Sequence, residues 1–508
     1  MNTPYDLLII GGGINGTAIA RDAAGRGLSV LLCEKDDLAS HTSSSSTKLI
    51  HGGLRYLEYY EFRLVREALI EREVLLRSAP HIIWPLRFIL PHDAGLRPKW
   101  ILRLGLFFYD YMGGRKLLPP TKTLKLQKGG VHSDILENRL TFGYEYSDCW
   151  VEDARLVVLN ACDAQIRGAK ILTRTEVKAL SVEDGVYKAS ISLGGGKTEH
   201  VTARAVVNSA GPWVEAVLKK IHRGKNDAGV RLIKGSHIVT KKLFEGDHSY
   251  IFQNADNRII FAIPYEEDYT LIGTTDVPFD TNLDKVEISQ EEISYLCECA
   301  NEYLEHDISP ADVVWTYAGV RPLYDDKSAN ASAVTRDYVL DIDEFEPGAA
   351  FMSIYGGKIT TSRKLAEHAI EKLQPFLGFE AKAWTRKGHF PGGDIKNADF
   401  DGFKTSMQSR YPWIEPDHLH RLARRYGTRM QDVIGEAKSL SDLGTVFYRG
   451  LSEREVRYMI ENEFVTSADD ILWRRTKLGL HMPEDEREAF TDWFHNNMVP
   501  LLPEITLA

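Results

Sequence analysis

The chain has 508 residues, too many for one ordinary hydrophobic core, so two or three domains are expected. Its composition of 43% hydrophobic and 26% charged residues is typical of a soluble globular enzyme. The formal net charge of -10 argues against nucleic acid as a partner, because neutralising phosphates requires a basic surface.

The N-terminal segment predicts a strand, a glycine turn, a helix and a second strand. Residues 5–10 are mostly apolar, and the turn Gly11-x-Gly13-x-x-Gly16 follows them directly. In such a turn the first glycine makes the bend, the second lets the backbone approach a pyrophosphate, and the third allows close helix packing. Glu34 follows the second strand, where a carboxylate accepts hydrogen bonds from ribose hydroxyls. This pattern predicts a dinucleotide site for FAD or NAD rather than NADP.

Later segments predict further pieces of the same domain and two others. The short strands 205–208 and 351–354 end in glycine-containing turns and extend the nucleotide domain. Residues 57–77 have the apolar period of a long amphipathic helix. Residues 258–264 and 270–275 alternate as strands of an antiparallel sheet do. After residue 390 the pattern becomes helical, with candidate helices at 421–426, 453–464 and 468–480.

The cysteines and the chain start bear on location. Five cysteines without CxxC or metal-ligand spacing predict free thiols, no metal site and a cytoplasmic compartment. No signal or transit segment is expected from the first residues. The longest nearly apolar run, residues 100–109, is far shorter than the roughly 20 residues of a membrane span, so membrane contact should be peripheral.

The block 43–56, SSSSTKLIHGGLRY, resembles the FAD-dependent glycerol-3-phosphate dehydrogenase family. The resemblance covers essentially the whole chain, through the blocks 146–156, 234–239, 272–276, 315–323, 355–361 and 468–477. It implies FAD as cofactor and oxidation of sn-glycerol 3-phosphate to dihydroxyacetone phosphate. Electrons would pass to a membrane quinone, with the protein on the inner face of the cell membrane.

The expected fold is α/β, with a Rossmann-like FAD-binding domain of the glutathione-reductase and D-amino-acid-oxidase type. This domain should be discontinuous and interleaved with an antiparallel-sheet substrate domain, followed by a helical C-terminal domain. The predicted limits are 1–60, 146–215 and 345–389 for the FAD-binding domain, 61–145 and 216–344 for the substrate domain, and 390–508 for the C-terminal domain.

The residues expected to hold FAD lie in the glycine turns and the Ser/Thr-rich loop. Lys358, at a predicted helix start, would place positive charge near the flavin N1 and C2 carbonyl, or would serve as a third phosphate ligand. Besides Lys358, the set comprises Gly11, Gly13, Asn15, Gly16, Glu34, Ser44, Ser45, Lys48, Ala210, Gly211, Gly357, Ile359 and Thr360.

The substrate residues follow from the chemistry of a phosphate monoester and of alcohol oxidation. A doubly charged phosphate calls for guanidinium groups, for which Arg55 and Arg321 are the candidates. Tyr56 and Thr274 would donate hydrogen bonds to substrate oxygens. Loss of the hydroxyl proton requires a general base, and His51 is the first choice and His237 the second. The sequence alone leaves the choice between the two histidines open.

The sequence also leaves alternative enzyme classes and possible partners open. An oxygen-reducing glycerol-3-phosphate oxidase, an amino-acid-oxidase type enzyme and a flavoprotein without turnover are the alternatives, and a homodimer is left open. Around residues 97–116, cations stand beside interfacial aromatics, which is typical of a segment in the lipid headgroup plane. The alternative is a buried helix capped by charges. The residues concerned are Arg97, Lys99, Arg103, Arg115, Lys116, Trp100 and Phe107.

Overall fold

The computed structural model describes residues 3–93, 97–194, 196–220, 229–254, 256, 258–325 and 337–507. The strands are β1 Tyr5–Ile10, β2 Val30–Cys33, β3 Leu49–Ile50, β4 Ile83–Pro91, β5 Lys122–Lys125, β6 Phe142–Val151, β7 Lys170–Leu172, β8 Glu176–Glu183, β9 Val186–Ser192, β10 Thr198–Asn208, β11 Gly229–Lys241, β12 His248–Gln253, β13 Ile259–Tyr265, β14 Tyr269–Gly273, β15 Val277–Pro278, β16 Val313–Asp325, β17 Val339–Glu346 and β18 Ala349–Tyr355. The helices are α1 Ile14–Gly25, α2 Phe62–Ser78, α3 Lys99–Tyr111, α4 Asp153–Ile166, α5 Val214–Lys220, α6 Gln290–Asn301, α7 Ser362–Leu377, α8 Phe400–Arg410, α9 Pro416–Tyr426, α10 Met430–Ile434, α11 Glu453–Asn462, α12 Leu478–His481 and α13 Glu484–Asn497.

The first sheet is the predicted nucleotide sheet. Its strands run in the order β17, β18, β10, β1, β2, β7, and the pairs from β18 to β7 are parallel. All four residues of β2 and the last four of β1 are buried, as expected for strands covered on both faces. Helices α1, α4 and α7 contribute to the core on one face. Pieces from residues 5 to 355 therefore form one sheet, which confirms the interleaved α/β fold.

The second sheet forms the wall of the substrate domain. Its order is β15, β11, β14, β13, β12, β4, β6, β3, with β16 on β11 and β5 on β6. The pairs are antiparallel except for β12 with β4. Helix α6 packs on this sheet through an apolar cluster that includes Leu296 and Ala300. The predicted strands 258–264 and 270–275 correspond to β13 and β14.

The C-terminal domain is helical, as predicted, and has a core of its own formed by residues from Ile395 to Met498. The predicted helix 468–480 is divided in the structure. A π-helical turn covers Asp470–Arg475, and Lys477 then adopts a left-handed conformation with φ of 56° before α12. A residue in the left-handed conformation ends an α-helix. The amphipathic spacing of the sequence continues past Lys477, so it does not reveal this break.

Two further differences concern boundaries. The predicted helix 57–77 begins at Phe62, because residues 54–59 form a 3-10 segment that ends at Tyr60 with φ of 59°. The predicted domain limits at 146 and 345 fall inside β6 and β17. A long strand reaches from one structural layer into the next, so its composition does not change at the domain limit. The exact limits remain a prediction.

Candidate active site

A cavity of about 890 Å³ lies between the two sheets. The turn after β1 lines it from the first sheet, together with the turns after β2, β10 and β18. Residues on β13 and β16 line it from the second sheet. A site beyond the carboxyl ends of parallel strands is where doubly wound folds bind nucleotides.

The glycine turn is shaped so that side chains are excluded. Gly11 has φ of 108°, and a Cβ there would lie 2.7 Å from the carbonyl oxygen of Ser209. A Cβ on Gly16 would lie 2.0 Å from the carbonyl oxygen of Gly11. Both neighbours are backbone atoms and cannot swing away. The turn therefore stays open at the N-terminus of α1, whose N–H groups favour a phosphate.

The Glu34 carboxylate is fixed by two backbone hydrogen bonds. Its Oε2 accepts the N–H of Gly12 at 2.6 Å, and its Oε1 accepts the N–H of Asp36 at 2.8 Å. Burial raises the pKa of this carboxyl, while the two backbone hydrogen bonds lower it. Each oxygen can accept a further hydrogen bond, and Glu34 lines the cavity.

The far end of the glycine cradle offers a polar atom to a ligand. Asn15 donates to the carbonyl oxygen of Gly356 at 3.1 Å, but its own Oδ1 is buried without a hydrogen-bond partner among the described residues. Gly357 has φ of 98°, and a Cβ there would lie 2.8 Å from Nδ2 of Asn15. An extended cradle with a ribose acceptor, a phosphate turn and this amide fits FAD.

Several predicted residues stand behind the cavity wall. Lys48 is buried and donates to both oxygens of Asp153 at 2.9 and 3.0 Å, so its ammonium faces away from the cavity. The hydroxyl of Thr360 accepts the N–H of His51 at 3.3 Å. Gly16 packs under the turn rather than on the wall. The predicted site residues that do not line the cavity are Gly16, Ser44, Ser45, Lys48, His237, Ile359 and Thr360; Ser43 and Thr47 take the inner face of the Ser/Thr-rich loop.

The predicted residues on the wall are brought together from seven parts of the chain. They are Gly11, Gly13, Asn15, Glu34, His51, Arg55, Tyr56, Ala210, Gly211, Thr274, Arg321, Gly357 and Lys358.

Cationic side chains from separate parts of the chain line the cavity. The Nζ of Lys358 lies 4.2 Å from the centre of the Tyr56 ring. The Thr274 hydroxyl and the Arg321 guanidinium both lie over Gly235, where a Cβ would be 2.9 and 3.0 Å from them. Such a group of cations and hydroxyl donors suits an anion with several oxygens.

Arg258 adds a cation that the sequence analysis missed. It lines the cavity from the start of β13, and its guanidinium lies 5.1 Å from the ring of Tyr295. Asp256, whose carboxylate is 3.7 Å from Arg258, accepts the hydroxyl of Tyr295 at 2.7 Å. Arg321 is likewise paired, with Asp276. A single arginine just before a strand has no motif, so only the fold identifies it as part of the site.

His51 lies on the cavity wall above a buried polar network. Asp148 also lines the cavity, and its carboxylate accepts the Tyr109 hydroxyl at 2.8 Å and Arg72 Nη1 at 2.6 Å. Burial lowers the pKa of His51; Asp148 opposes this, and Lys358 and Arg72 lower the pKa further. The imidazole is therefore neutral and able to accept a proton near neutral pH. Asp148 belongs to the block 146–156 but was not singled out from sequence.

His237 lies one layer behind the wall. Its Nε2 is 2.9 Å from the hydroxyl of Thr47, and its ring stacks on Tyr317 with centroids 4.7 Å apart. A Cβ on Gly273 would lie only 2.1 Å from the ring, so the imidazole is packed on that side as well. Burial lowers its pKa well below the usual value, helped by Lys48 and Arg321. Thr47 separates this histidine from the cavity.

Within the segment 97–116, α3 forms an amphipathic helix whose apolar stripe faces outwards. Leu106 and Tyr109 of α3 are buried. The opposite face exposes large apolar side chains at helical spacing, and Trp100 is 69% exposed. That stripe consists of Trp100, Leu104, Phe107, Phe108 and Tyr111. In the part of the chain that the structure describes, no helix is long and apolar enough to cross a membrane.

Two family models together match most of the chain. The model described as FAD dependent oxidoreductase matches residues 6–363. The model described as C-terminal domain of alpha-glycerophosphate oxidase matches residues 383–493. The second model begins before Ile395, the first residue of the core of the helical domain.

Characterised relatives are similar over nearly their whole length. D-erythritol 1-phosphate dehydrogenase of Brucella abortus is 51% identical, covering 97% of this chain and 98% of the relative. Aerobic glycerol-3-phosphate dehydrogenase of Escherichia coli is 47% identical, covering 96% and 97%. The crystal structure of glycerol-3-phosphate dehydrogenase from Bacillus halodurans with FAD superposes with a TM-score of 0.72 at 25% identity, covering 99% of this chain and 97% of that one.

Proposed function

The chain belongs to the FAD-dependent glycerol-3-phosphate dehydrogenase family, and from that premise we propose that it oxidises sn-glycerol 3-phosphate to dihydroxyacetone phosphate. The observation that supports this most is the single cavity wall shared by a neutral His51 and the cations Arg55, Arg321 and Lys358. Bound FAD would supply the hydride acceptor. The protein has to hold the phosphate, remove the hydroxyl proton and exclude competing substrates.

In this proposal the cations bind the phosphate and the hydroxyl donors orient the carbon chain. Arg55 and Arg321 offer guanidinium groups that can each bind two oxygens. Thr274, beside Arg321, donates to a substrate oxygen. Lys358, next to Gly357, stands between the glycine turn and the cation group, where its charge would favour electron transfer towards the flavin ring.

His51 is the proposed general base. It lies on the cavity wall, and its lowered pKa keeps it neutral, so it can take the proton of the alcohol as the hydride leaves. Asp148, below it, stabilises the imidazolium that results because its carboxylate raises the pKa of His51. His237 remains the second candidate, acting through Thr47.

D-erythritol 1-phosphate is a second candidate substrate, because the relative at 51% identity is named as a dehydrogenase of that compound. Both compounds are phosphate monoesters of short polyols, so the cation group serves either. The test compares kcat/KM for sn-glycerol 3-phosphate, D-erythritol 1-phosphate and unphosphorylated glycerol. We expect glycerol to be the poorest substrate by a wide margin. Equal use of glycerol would contradict the phosphate site, and a clear preference for the tetritol phosphate would assign the second candidate.

We propose a membrane quinone as the electron acceptor. The C-terminal family model is named for an oxidase, so the acceptor needs its own experiment. Turnover with a short-chain quinone is compared with hydrogen peroxide release in air. Quinone reduction without matching peroxide supports a dehydrogenase, whereas stoichiometric peroxide would assign an oxidase.

The proposed membrane contact is the outward stripe of α3. Lys99 and Arg103 flank Trp100, so cations and an interfacial aromatic would meet anionic headgroups together. The same helix packs against the 3-10 segment 54–59, which contains Arg55 and Tyr56. The lipid-facing surface would thus lie one element away from the substrate site, on the cytoplasmic face of the membrane.

A further inference from the structure

The C-terminal domain contacts the FAD-binding region through a buried ionic cluster. Arg475 donates from Nη1 and Nη2 to the two carboxylate oxygens of Asp37, at 2.7 and 2.8 Å. Arg474 donates to the same carboxylate from Nε. The side chains of Arg475 and Asp37 are almost entirely buried. This bidentate geometry fixes the position of Asp37 more tightly than a single contact would.

Asp37 lies in the turn that positions Glu34. The carbonyl oxygen of Asp37 accepts the N–H and the hydroxyl of Ser40, at 3.2 and 2.8 Å. Next to it, Leu38 packs on the glycine turn, since a Cβ on Gly12 would lie 2.9 Å from its Cδ2. The inner side of the same turn faces the cavity through Glu34, Lys35, Ala39, Ser40 and His41.

We propose that Arg474 and Arg475 are positioning residues for FAD. Through Asp37 they hold the 34–41 turn, and with it the Glu34 carboxylate, against the glycine turn. FAD retention thereby depends on the C-terminal domain, although the cavity wall in the described ranges contains no residue beyond Lys358. Without the guanidinium groups, Asp37 would be a buried charge with no partner, and the turn would move to hydrate it.

A second ion pair between the same two parts of the protein provides a matched control. Arg155 Nη2 donates to Glu463 Oε1 at 2.8 Å, and both side chains are about as buried as the first pair. Arg155 belongs to α4, and the cavity wall includes no described residue of that helix. Removing either pair should weaken docking of the C-terminal domain, but only the pair at Asp37 acts on the turn that holds the cofactor.

The experiment measures release of FAD from the holoprotein as a rise in flavin fluorescence after dilution. The variants are Asp37→Asn, Arg475→Gln and their combination, with Arg155→Gln as control. Each is followed well below its thermal midpoint, with circular dichroism recording the fold. We expect release to be roughly ten-fold faster or more in both single variants. The double variant should be no faster than the singles, and the control should stay within about two-fold of the parent.

Two outcomes would overturn the proposal. One is equal acceleration in Arg155→Gln at an equal loss of thermal stability, because docking in general would then determine retention. The other is an unchanged release rate in Asp37→Asn. Where a charge-removing variant fails to fold, Arg475→Lys serves instead, since it keeps the charge but loses the two-point contact. It should release FAD faster than the parent, and an unchanged rate would likewise contradict the proposal.

Discussion

The two ends of the cavity differ in the groups that determine their shape and charge. At the end with the glycine turn, where we propose that FAD binds, backbone packing limits the site, and a Cβ on Gly11 or Gly16 would collide with main-chain atoms. At the substrate end, charged side chains form it, and Arg258 and Arg321 each have a carboxylate partner. A backbone surface recognises the shared part of a cofactor, whereas side chains determine which substrate is held and where its proton goes. Substitutions at the two ends should therefore have separable effects.

The largest expected effect is at His51. We expect His51→Ala to keep FAD and to slow flavin reduction by about 10² to 10⁴, the usual range for a positioned proton acceptor. His237→Ala is the comparison, and stopped-flow absorbance under anaerobic conditions is the measurement. If His237→Ala shows the large loss and His51→Ala does not, the base is His237.

The pH dependence of kcat/KM tests the same assignment of His51 as the general base. Burial, Lys358 and Arg72 lower the pKa of His51, so the neutral base persists to lower pH than a free histidine would. The acidic limb of kcat/KM should therefore lie below about pH 6.5, the ordinary histidine value. Asp148→Asn removes the influence that raises this pKa and should move the limb further down.

The next effect is on substrate discrimination. Arg321→Ala or Arg55→Ala should reduce the preference for phosphorylated substrate by roughly 1.5 to 3 kcal/mol in transition-state binding, while FAD stays bound. Arg204→Ala is the control, because its side chain is 44% exposed, as is that of Arg321, and also pairs with an aspartate. An unchanged preference in both test variants would remove these arginines from the site.

A smaller effect, confined to the other end, is expected for Gly16→Ala. The added methyl would meet the carbonyl oxygen of Gly11, and moving α1 away costs about 1 to 3 kcal/mol. FAD affinity, measured by fluorescence titration, should fall, whereas the residual holoprotein should keep its substrate preference. Gly105→Ala in α3 is the control, since its Cβ would meet nothing within 4 Å. Altered substrate preference in Gly16→Ala would show that the two ends are not separable.

The smallest effect on chemistry is expected on the outer face of α3. Replacing Phe107 and Phe108 by Ser should reduce binding to anionic liposomes and quinone turnover while leaving activity with a soluble dye nearly unchanged. Ile166→Ser is the control, as another exposed apolar residue, at the end of α4. Loss of FAD or of the fold in the double variant would place these aromatics in the core and contradict the membrane assignment.

The glycine turn and FAD as cofactor could be predicted from the sequence because their determinants are local, whereas Ser44, Ser45, Lys48, Ile359 and Thr360 of the predicted FAD set do not line the cavity. The glycine turn, its flanking strands and Glu34 lie within 30 consecutive residues, from Tyr5 to Glu34, and each has a defined role. The substrate end was predicted in part, through blocks that resemble the family. Arg258 was missed because a lone arginine just before a strand has no pattern.

Contacts between distant residues could not be predicted. Asp37 and Arg475 are 438 positions apart, and nothing in either segment indicates the other. The sequence ranked His51 before His237 but could not show that His237 packs behind Thr47 and on Tyr317, off the cavity wall. The predicted domain limits at 146 and 345 fall inside β6 and β17, because the composition of a strand does not change where it passes between layers.

The most direct test of the account is an anaerobic titration of the purified yellow protein with sn-glycerol 3-phosphate, followed through the visible absorbance of the flavin. We predict that the flavin is bleached, that glycerol at the same concentrations leaves it oxidised, and that the absorbance returns when a quinone is added. A flavin that stays oxidised with sn-glycerol 3-phosphate and with D-erythritol 1-phosphate, or one bleached equally by glycerol, would contradict it.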